Sequence, residues 1–245
     1  MTKNRVTAAV LIIGNEILSG RTQDTNLNYL AKKLNEYGIQ ILESRVVPDI
    51  EDAIVEAVNA LRVRYDYVFT TGGIGPTHDD ITADCIAKAF GVPLIINEDI
   101  AAVLRRRVST PDVMDMRMRM ARVPQGGGLI DNPTGPHGFY IENVYVMAGI
   151  PSVMQGMIAS LDGKLKRGET VESLSVTAYI IESQIARDLG AIQAKFPHID
   201  LGSYPFQKND RYGTMLVMRG SVPADLLAVQ NEVKAMVIAH GAVPE

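Results

Sequence analysis

The stretch Thr70-Thr71-Gly72-Gly73-Ile74-Gly75-Pro76-Thr77-His78-Asp79-Asp80 sets three glycines beside two adjacent carboxylates. Without a Cβ, the backbone at Gly72, Gly73 and Gly75 can come close to a ligand, and a helix starting just beyond offers unpaired N–H groups and the positive end of its dipole. Phosphate is the natural guest. Asp79 and Asp80, read as lying in the first turn of that helix, would repel a bare phosphate, which points to a divalent cation bridging at least one of them to the phosphate oxygens. The chemistry such a site suits is a metal-assisted reaction at a phosphoanhydride. A plainer reading makes the glycines a tight turn and the aspartates partners of the helix dipole, worth about 0.3–1 kcal/mol. What favours the chemical reading is a second cluster, Gly14-Asn15-Glu16-Ile17-Leu18-Ser19-Gly20 followed by Asp24-Thr25-Asn26, which also follows an apolar run.

The elements that must hold these residues are legible as alternating strands and helices. Thr7–Ile13 is a near-continuous apolar run ending at Gly14, as expected of a parallel strand covered on both faces. Leu27, Leu30 and Leu34 recur with charges between them up to Gly38, the pattern of an amphipathic helix. Ile39 and Ile41 with Val46 and Val47 give a second strand, Ala53 to Leu61 a second helix, and Tyr67 to Thr71 a third buried strand. Asp79 to Phe90 reads as a helix closed by Gly91. The implied fold is α/β, a mostly parallel sheet with helices on both faces, and in such folds ligands sit beyond the carboxyl ends of the strands. Gly14 and Gly72 both lie at such ends.

Further along, Arg105, Arg106 and Arg107 belong to one helical stretch and Met114 to Arg122 to another, and Pro124 to Gly138 reads as a functional loop rich in glycine and proline. Phe139 to Met147 gives a pair of short strands turning at Glu142-Asn143, and Pro151 to Leu161 a helix with proline in its first turn. A charged connector ends a first domain, residues 1–168, and a small α+β domain of βαββα order fills residues 169–245. That second domain brings together no set of catalytic side chains.

With 245 residues, 47% hydrophobic and 21% charged, the chain has the composition of a folded globular protein. The balance of 24 Lys and Arg against 28 Asp and Glu is mildly acidic, with no basic stripe to neutralise a phosphate backbone, so nucleic acid is not expected as a partner. The single cysteine, Cys85, excludes an intramolecular disulfide framework and fits a reducing compartment. Met1 to Val6 lacks the apolar core of a signal peptide, and no apolar run has the length of a membrane span, so a cytoplasmic protein with no membrane partner is expected. His78, His198 and His240 read as surface or structural residues, and Met114, Met116, Met118 and Met120 as core or subunit-packing residues of a homodimer or other homo-oligomer.

Together the GNEILSG and DTN segments, Pro48-Asp49, the TGGIGPTHDD loop, Asn132-Pro133 and Gly149-Ile150-Pro151 with Met154 resemble the molybdopterin-binding (molybdenum cofactor biosynthesis) superfamily, within it the N-terminal part of the competence/damage-inducible protein A (CinA) family. The resemblance implies that Asp49 and Asp80 line the pterin or nucleotide phosphate site and that Thr71, Gly72, Gly73, Gly75, Pro76 and Thr77 wrap the phosphate. Gly14, Asp24, Asn26 and Asn132 fall on the same crevice as ligand-binding positions. Glu16 is either a metal ligand, with Asp79 and Asp80, or the partner of a nearby backbone donor. Two departures stand out, Val153 where the family carries a glutamate before Met154, and His137 where a small residue is common. The chain ends before the amidohydrolase domain of the longer CinA proteins, so deamidase activity is not implied.

Three functions follow from this resemblance. The first is a pyrophosphatase using Mg, Mn or Co that splits ADP-ribose or a similar dinucleotide. The second is molybdopterin binding or adenylylation, and the third a non-catalytic nucleotide-binding module.

Overall fold

The first strand, β1 (Val6–Ile13), is apolar because helices cover both its faces. Ala9, Leu11 and Ile13 pack into one core with Ile54, Val58 and Leu61 of α3 (Glu51–Arg62), while Val6, Ala8, Val10 and Ile12 pack into a second with Leu30 and Leu34 of α2 (Asn26–Glu36). Each fully buried large side chain contributes about 1.5–3 kcal/mol, so the two cores fix this strand and its neighbours firmly. The computed structural model describes residues 5–107, 110–133 and 135–245, without the side chains of Arg107 and Asp112. Expectations for Met1 to Asn4, for the Arg107 side chain and for Thr134 lie outside the described residues.

Between β1 and α2 runs a short helix, α1 (Asn15–Leu18), which the sequence pattern does not announce. There follow β2 (Ile39–Val47), α3, β3 (Tyr67–Thr71), α4 (Thr82–Phe90), β4 (Leu94–Ile96), α5 (Glu98–Arg107) and α6 (Pro111–Met118). A 3-10 turn over Arg119–Ala121 leads to β5 (Arg122–Pro124), β6 (Gly128–Ile130), β7 (Gly138–Ile141), β8 (Val144–Met147) and α7 (Pro151–Ser160). The main sheet has the order β2-β1-β3-β8-β7-β6, parallel from β2 to β8 and antiparallel at β7 and β6. From β1 the chain moves outward to β2, then returns to β3 on the other side of β1. Such a reversal opens a crevice beyond the carboxyl ends of β1 and β3.

Two expectations need correction. Residues 124–138 are not all loop, because Gly128–Ile130 pairs with β7 and extends the sheet. The helical stretch expected from Met114 to Arg122 also breaks early, since Arg122 is already extended and pairs with Ile96 in a separate two-stranded sheet. In that stretch Met116 is exposed, and Met118 packs against the core of α3 and α4.

The chain divides into residues Met1–Glu169 and Thr170–Glu245. The second unit runs β9 (Glu172–Ala178), α8 (Glu182–Lys195), β10 (Asp200–Lys208), β11 (Arg211–Gly220) and α9 (Pro223–Ala239). Its antiparallel sheet, ordered β10-β11-β9, buries Val176, Leu216 and Met218 against Ile185 of α8 and Val229 and Val233 of α9. Among the described residues no helix is long and apolar enough to cross a membrane.

Candidate functional site

Four parallel strands finish at one edge of the main sheet, and their tips are tied through backbone. The Gly14 N–H donates to the Val47 carbonyl at 3.1 Å, and the Gly72 N–H to the Met147 carbonyl at 3.1 Å. Gly72 has φ 107, and a Cβ there would stand 2.1 Å from the Ile13 carbonyl oxygen. A Cβ on Gly149 would stand 3.3 Å from the Gly72 Cα. Only a residue without a side chain lets β1 and β3 close up in this way. The two glycine-terminated tips therefore share one crevice.

From Gly72 the loop is folded by its own side chains. The buried Thr82 hydroxyl donates to the Gly72 carbonyl at 3.0 Å, and the Thr82 N–H to the Gly73 carbonyl at 3.0 Å. Asp80 Oδ2 accepts from the Thr77 N–H at 2.8 Å and from the Thr77 hydroxyl. A short acidic side chain that takes up local backbone N–H groups offers the chain an alternative to helix. This corrects the expected start of α4, for Asp79 and Asp80 lie in a turn before the helix, which begins at Thr82. Asp80 Oδ1 accepts no bond from the described residues. The side chains of His78 and Asp79 are 95% and 63% exposed. Asp79, whose carboxyl lies below the ordinary carboxylate range, keeps its own backbone N–H as a donor, because the Thr77 hydroxyl gives its proton to Asp80.

On the other side of the crevice Asp49 Oδ2 accepts from the Asn15 N–H at 2.8 Å, linking the tip of β2 to the first residue after Gly14. The Glu16 carboxylate folds back over Gly14, where a Cβ would come within 2.6 Å of it. The Asp24 carboxylate is engaged at the start of α2, accepting from the N–H groups of Asn26 at 3.3 Å and Leu27 at 3.0 Å. Asn26, 5% exposed, donates to the Gly149 carbonyl at 2.8 Å and so pins α2 to the tip of β8. Asn132 is 3% exposed and donates to the Val153 carbonyl at 3.3 Å. Thr71, buried at the end of β3, sits beneath the loop, whereas Gly73, Gly75 and Pro76 are half-buried and Thr77 is exposed.

Asn15, Thr82, Gly149 and Arg119 were not singled out in the sequence as functional residues. Asn15 and Gly149 act through backbone groups, which leave no mark on residue type. Arg119 donates from Nη2 to the Asp80 carbonyl at 3.3 Å across 39 residues of chain, a separation no local pattern reveals.

Among the described residues no three His, Cys, Asp or Glu side chains gather into a group able to hold a metal ion. Asp79, Asp80 and Glu16 are thus not a preformed cage. Asp80 and Asp49 are hard oxygen donors, however, and a magnesium-type cation is commonly held by one or two carboxylates with substrate phosphates completing its shell. Asp80 keeps Oδ1 unbonded among the described residues, which leaves one oxygen of the loop able to meet a cation brought by a phosphorylated ligand.

Comparison with known proteins agrees with this geometry. Residues 9–166 match the family described as probable molybdopterin binding domain, and residues 170–245 match the FAD synthase middle domain. A protein of Archaeoglobus fulgidus is 33% identical over 197 residues, covering 80% of this chain and 84% of its own length. A probable FAD synthase of Caenorhabditis briggsae is 28% identical over 96% of this chain, which spans 50% of that relative. The crystal structure of the protein CinA from Thermoplasma acidophilum, 32% identical, superposes with a TM-score of 0.60 over 66% of this chain and 99% of that one. With its glycine loop, its converging strand tips and the match over residues 9–166, the chain belongs to the molybdopterin-binding domain family.

Proposed function

We propose that this chain is a divalent-metal-dependent pyrophosphatase acting on ADP-ribose or a similar dinucleotide. The observation that carries the reading is the glycine loop at the shared crevice, with Asp80 closing it and Asp49 at a neighbouring strand tip. Backbone N–H groups of such a loop suit phosphate oxygens and meet developing negative charge with dipoles already in place. Magnesium, manganese or cobalt, when bound, would neutralise the pyrophosphate and polarise its phosphorus–oxygen bonds, with Asp80 and either Asp49 or Asp79 as its protein ligands. Where Asp79 is the second ligand, Asp49, steadied by the Asn15 N–H, is left to take the proton of the attacking water. The water oxygen bonds to one phosphorus, the bridging oxygen leaves with the other, and ADP-ribose separates into AMP and ribose 5-phosphate. Similarity to a probable FAD synthase adds FAD to the candidates, a dinucleotide joined by the same linkage.

The test is product release from ADP-ribose and FAD by the purified chain with each of the three metals. AMP release that disappears in Asp80→Asn supports the reading, and release no faster than the buffer blank sinks it. The family match favours a second reading, molybdopterin binding or adenylylation, in the same crevice. A tight complex with molybdopterin or its adenylate, without hydrolysis of either dinucleotide, would put that reading first. Thermal stabilisation by nucleotides without any turnover would leave a binding module.

A further inference from the structure

Behind the glycine loop lies a cavity of about 20 Å³, walled in part by Gly73, Gly75 and Asp80 and in part by Arg119, Arg122 and His137. The Nε atoms of Arg119 and Arg122 and the Nδ1 atom of His137 are buried with no hydrogen-bond partner among the described residues. Buried polar groups of folded proteins are nearly always paired, so the two guanidinium Nε–H groups of residues that wall this space lack an acceptor, while Nδ1 of His137 donates or accepts according to its tautomer. The space admits about one water-sized atom.

Charge decides what kind of atom this is. The terminal nitrogens of Arg122 grip the Asp84 carboxylate at 3.1 and 2.8 Å, which balances its charge and fixes the guanidinium. The Arg119 guanidinium donates to a neutral acceptor, the Asp80 carbonyl, and pairs with no carboxylate of the described residues. A half-buried guanidinium held in no ion pair among the described residues favours an anionic oxygen over a neutral one, because charge-assisted hydrogen bonds are roughly twice as strong, and a cation on Asp80 would offset the carboxylate that walls the same space.

We propose that Arg119, Arg122 and His137 form a second phosphoryl subsite, which receives one oxygen of the phosphoryl group adjoining the one cradled by Gly72 to Thr77. The proposal rests on the pyrophosphatase reading and deepens it. The loop alone would suit any phosphate monoester, whereas loop and cavity together select a diphosphate.

Calorimetric titration of the full chain with inorganic pyrophosphate and with inorganic phosphate, both with magnesium, tests the subsite. Arg119→Ala should weaken pyrophosphate binding by about ten- to a hundred-fold, the worth of a lost hydrogen bond to a charged group, and phosphate binding, touched only through the Asp80 carbonyl, by much less. Arg119→Lys, which keeps the charge without the planar fork, should fall between. His137→Ala touches the cavity without touching Asp80, so its selective loss of pyrophosphate separates the subsite from mere support of the loop. Equal loss of both anions in Arg119→Ala, or unchanged pyrophosphate binding in both alanine variants, overturns the proposal. If the unaltered chain binds neither anion and releases no AMP, the pyrophosphatase reading itself falls. If it hydrolyses ADP-ribose with the same KM as Arg119→Ala, only the subsite does.

Discussion

The backbone N–H of Asn15 donates to Oδ2 of Asp49 at 2.8 Å, although 34 residues separate them. This bond fastens the segment leaving β1 to the segment leaving β2, and it makes the carboxylate proposed as the base part of the scaffold as well. Asp49→Ala should therefore lose both activity and stability, the latter by about 1.5–3 kcal/mol for a hydrogen bond to a charged group. Asp49→Asn keeps an oxygen acceptor for Asn15 but no negative charge. Its melting temperature should stay near that of the parent while AMP release disappears, a split visible by pairing calorimetry with the product assay.

Gly72→Ala addresses the closest backbone approach in the site. The residue has φ 107, and the new Cβ would meet the Ile13 carbonyl oxygen at 2.1 Å. Strain of this kind costs about 1–3 kcal/mol for the backbone conformation alone, before the clash is added. Urea unfolding should show a loss of at least that size, and the variant should bind no phosphate ligand at temperatures where it remains folded.

Asn26→Ala removes the donor to the carbonyl of Gly149, an exposed residue that water can reach in its place. The expected loss is about 0.5–1.5 kcal/mol by chemical denaturation, the net worth of one hydrogen bond. Because Gly149 lies against Gly72, KM for the dinucleotide should rise as well, whereas an exposed helical asparagine such as Asn231 should tolerate alanine in the same assay.

Cys85 gives a prediction that needs no ligand. Burial, aided by the nearby Glu51 and Asp84 carboxylates, pushes its thiol from an ordinary 9.0 up to about 12. The folded chain should resist alkylation at pH 8 and react once urea unfolds it. A folded-state pKa above the unfolded one means that the thiol's contribution to stability is whole below pH 9 and is lost as pH rises towards about 12. Tyr145, raised by burial to about 12, adds to the same alkaline loss. A melting temperature that stayed flat over that interval would contradict the assignment.

Much of the scaffold could be read from residue type because its signals are periodic. The apolar run of β1, the leucine spacing of α2, the glycine after α4 and the proline opening α7 each act within one element, and each appears where the pattern put it. What escaped depends on distant partners. The start of α4 was misplaced because Asp80 turns back to Thr77 instead of favouring a helix dipole. Gly128–Ile130 is extended only because β7 offers an unpaired edge, which glycine-rich composition does not disclose. In the site, the glycines and carboxylates were visible as types. The bonds from Asn15 to Asp49 and from Arg119 to Asp80 belong to the folded arrangement alone.

The meeting of Gly72 with Gly149 also bears on how this crevice could change its ligand. Where the two strand tips touch there is no side chain to exchange, and a Cβ on either residue meets backbone. Any retuning of preference must happen at the margins, where Ile50 and Ile150 are solvent-facing and free to vary. Substitutions at those two positions could change what the rim of the crevice touches while the glycine contact beneath them stayed fixed.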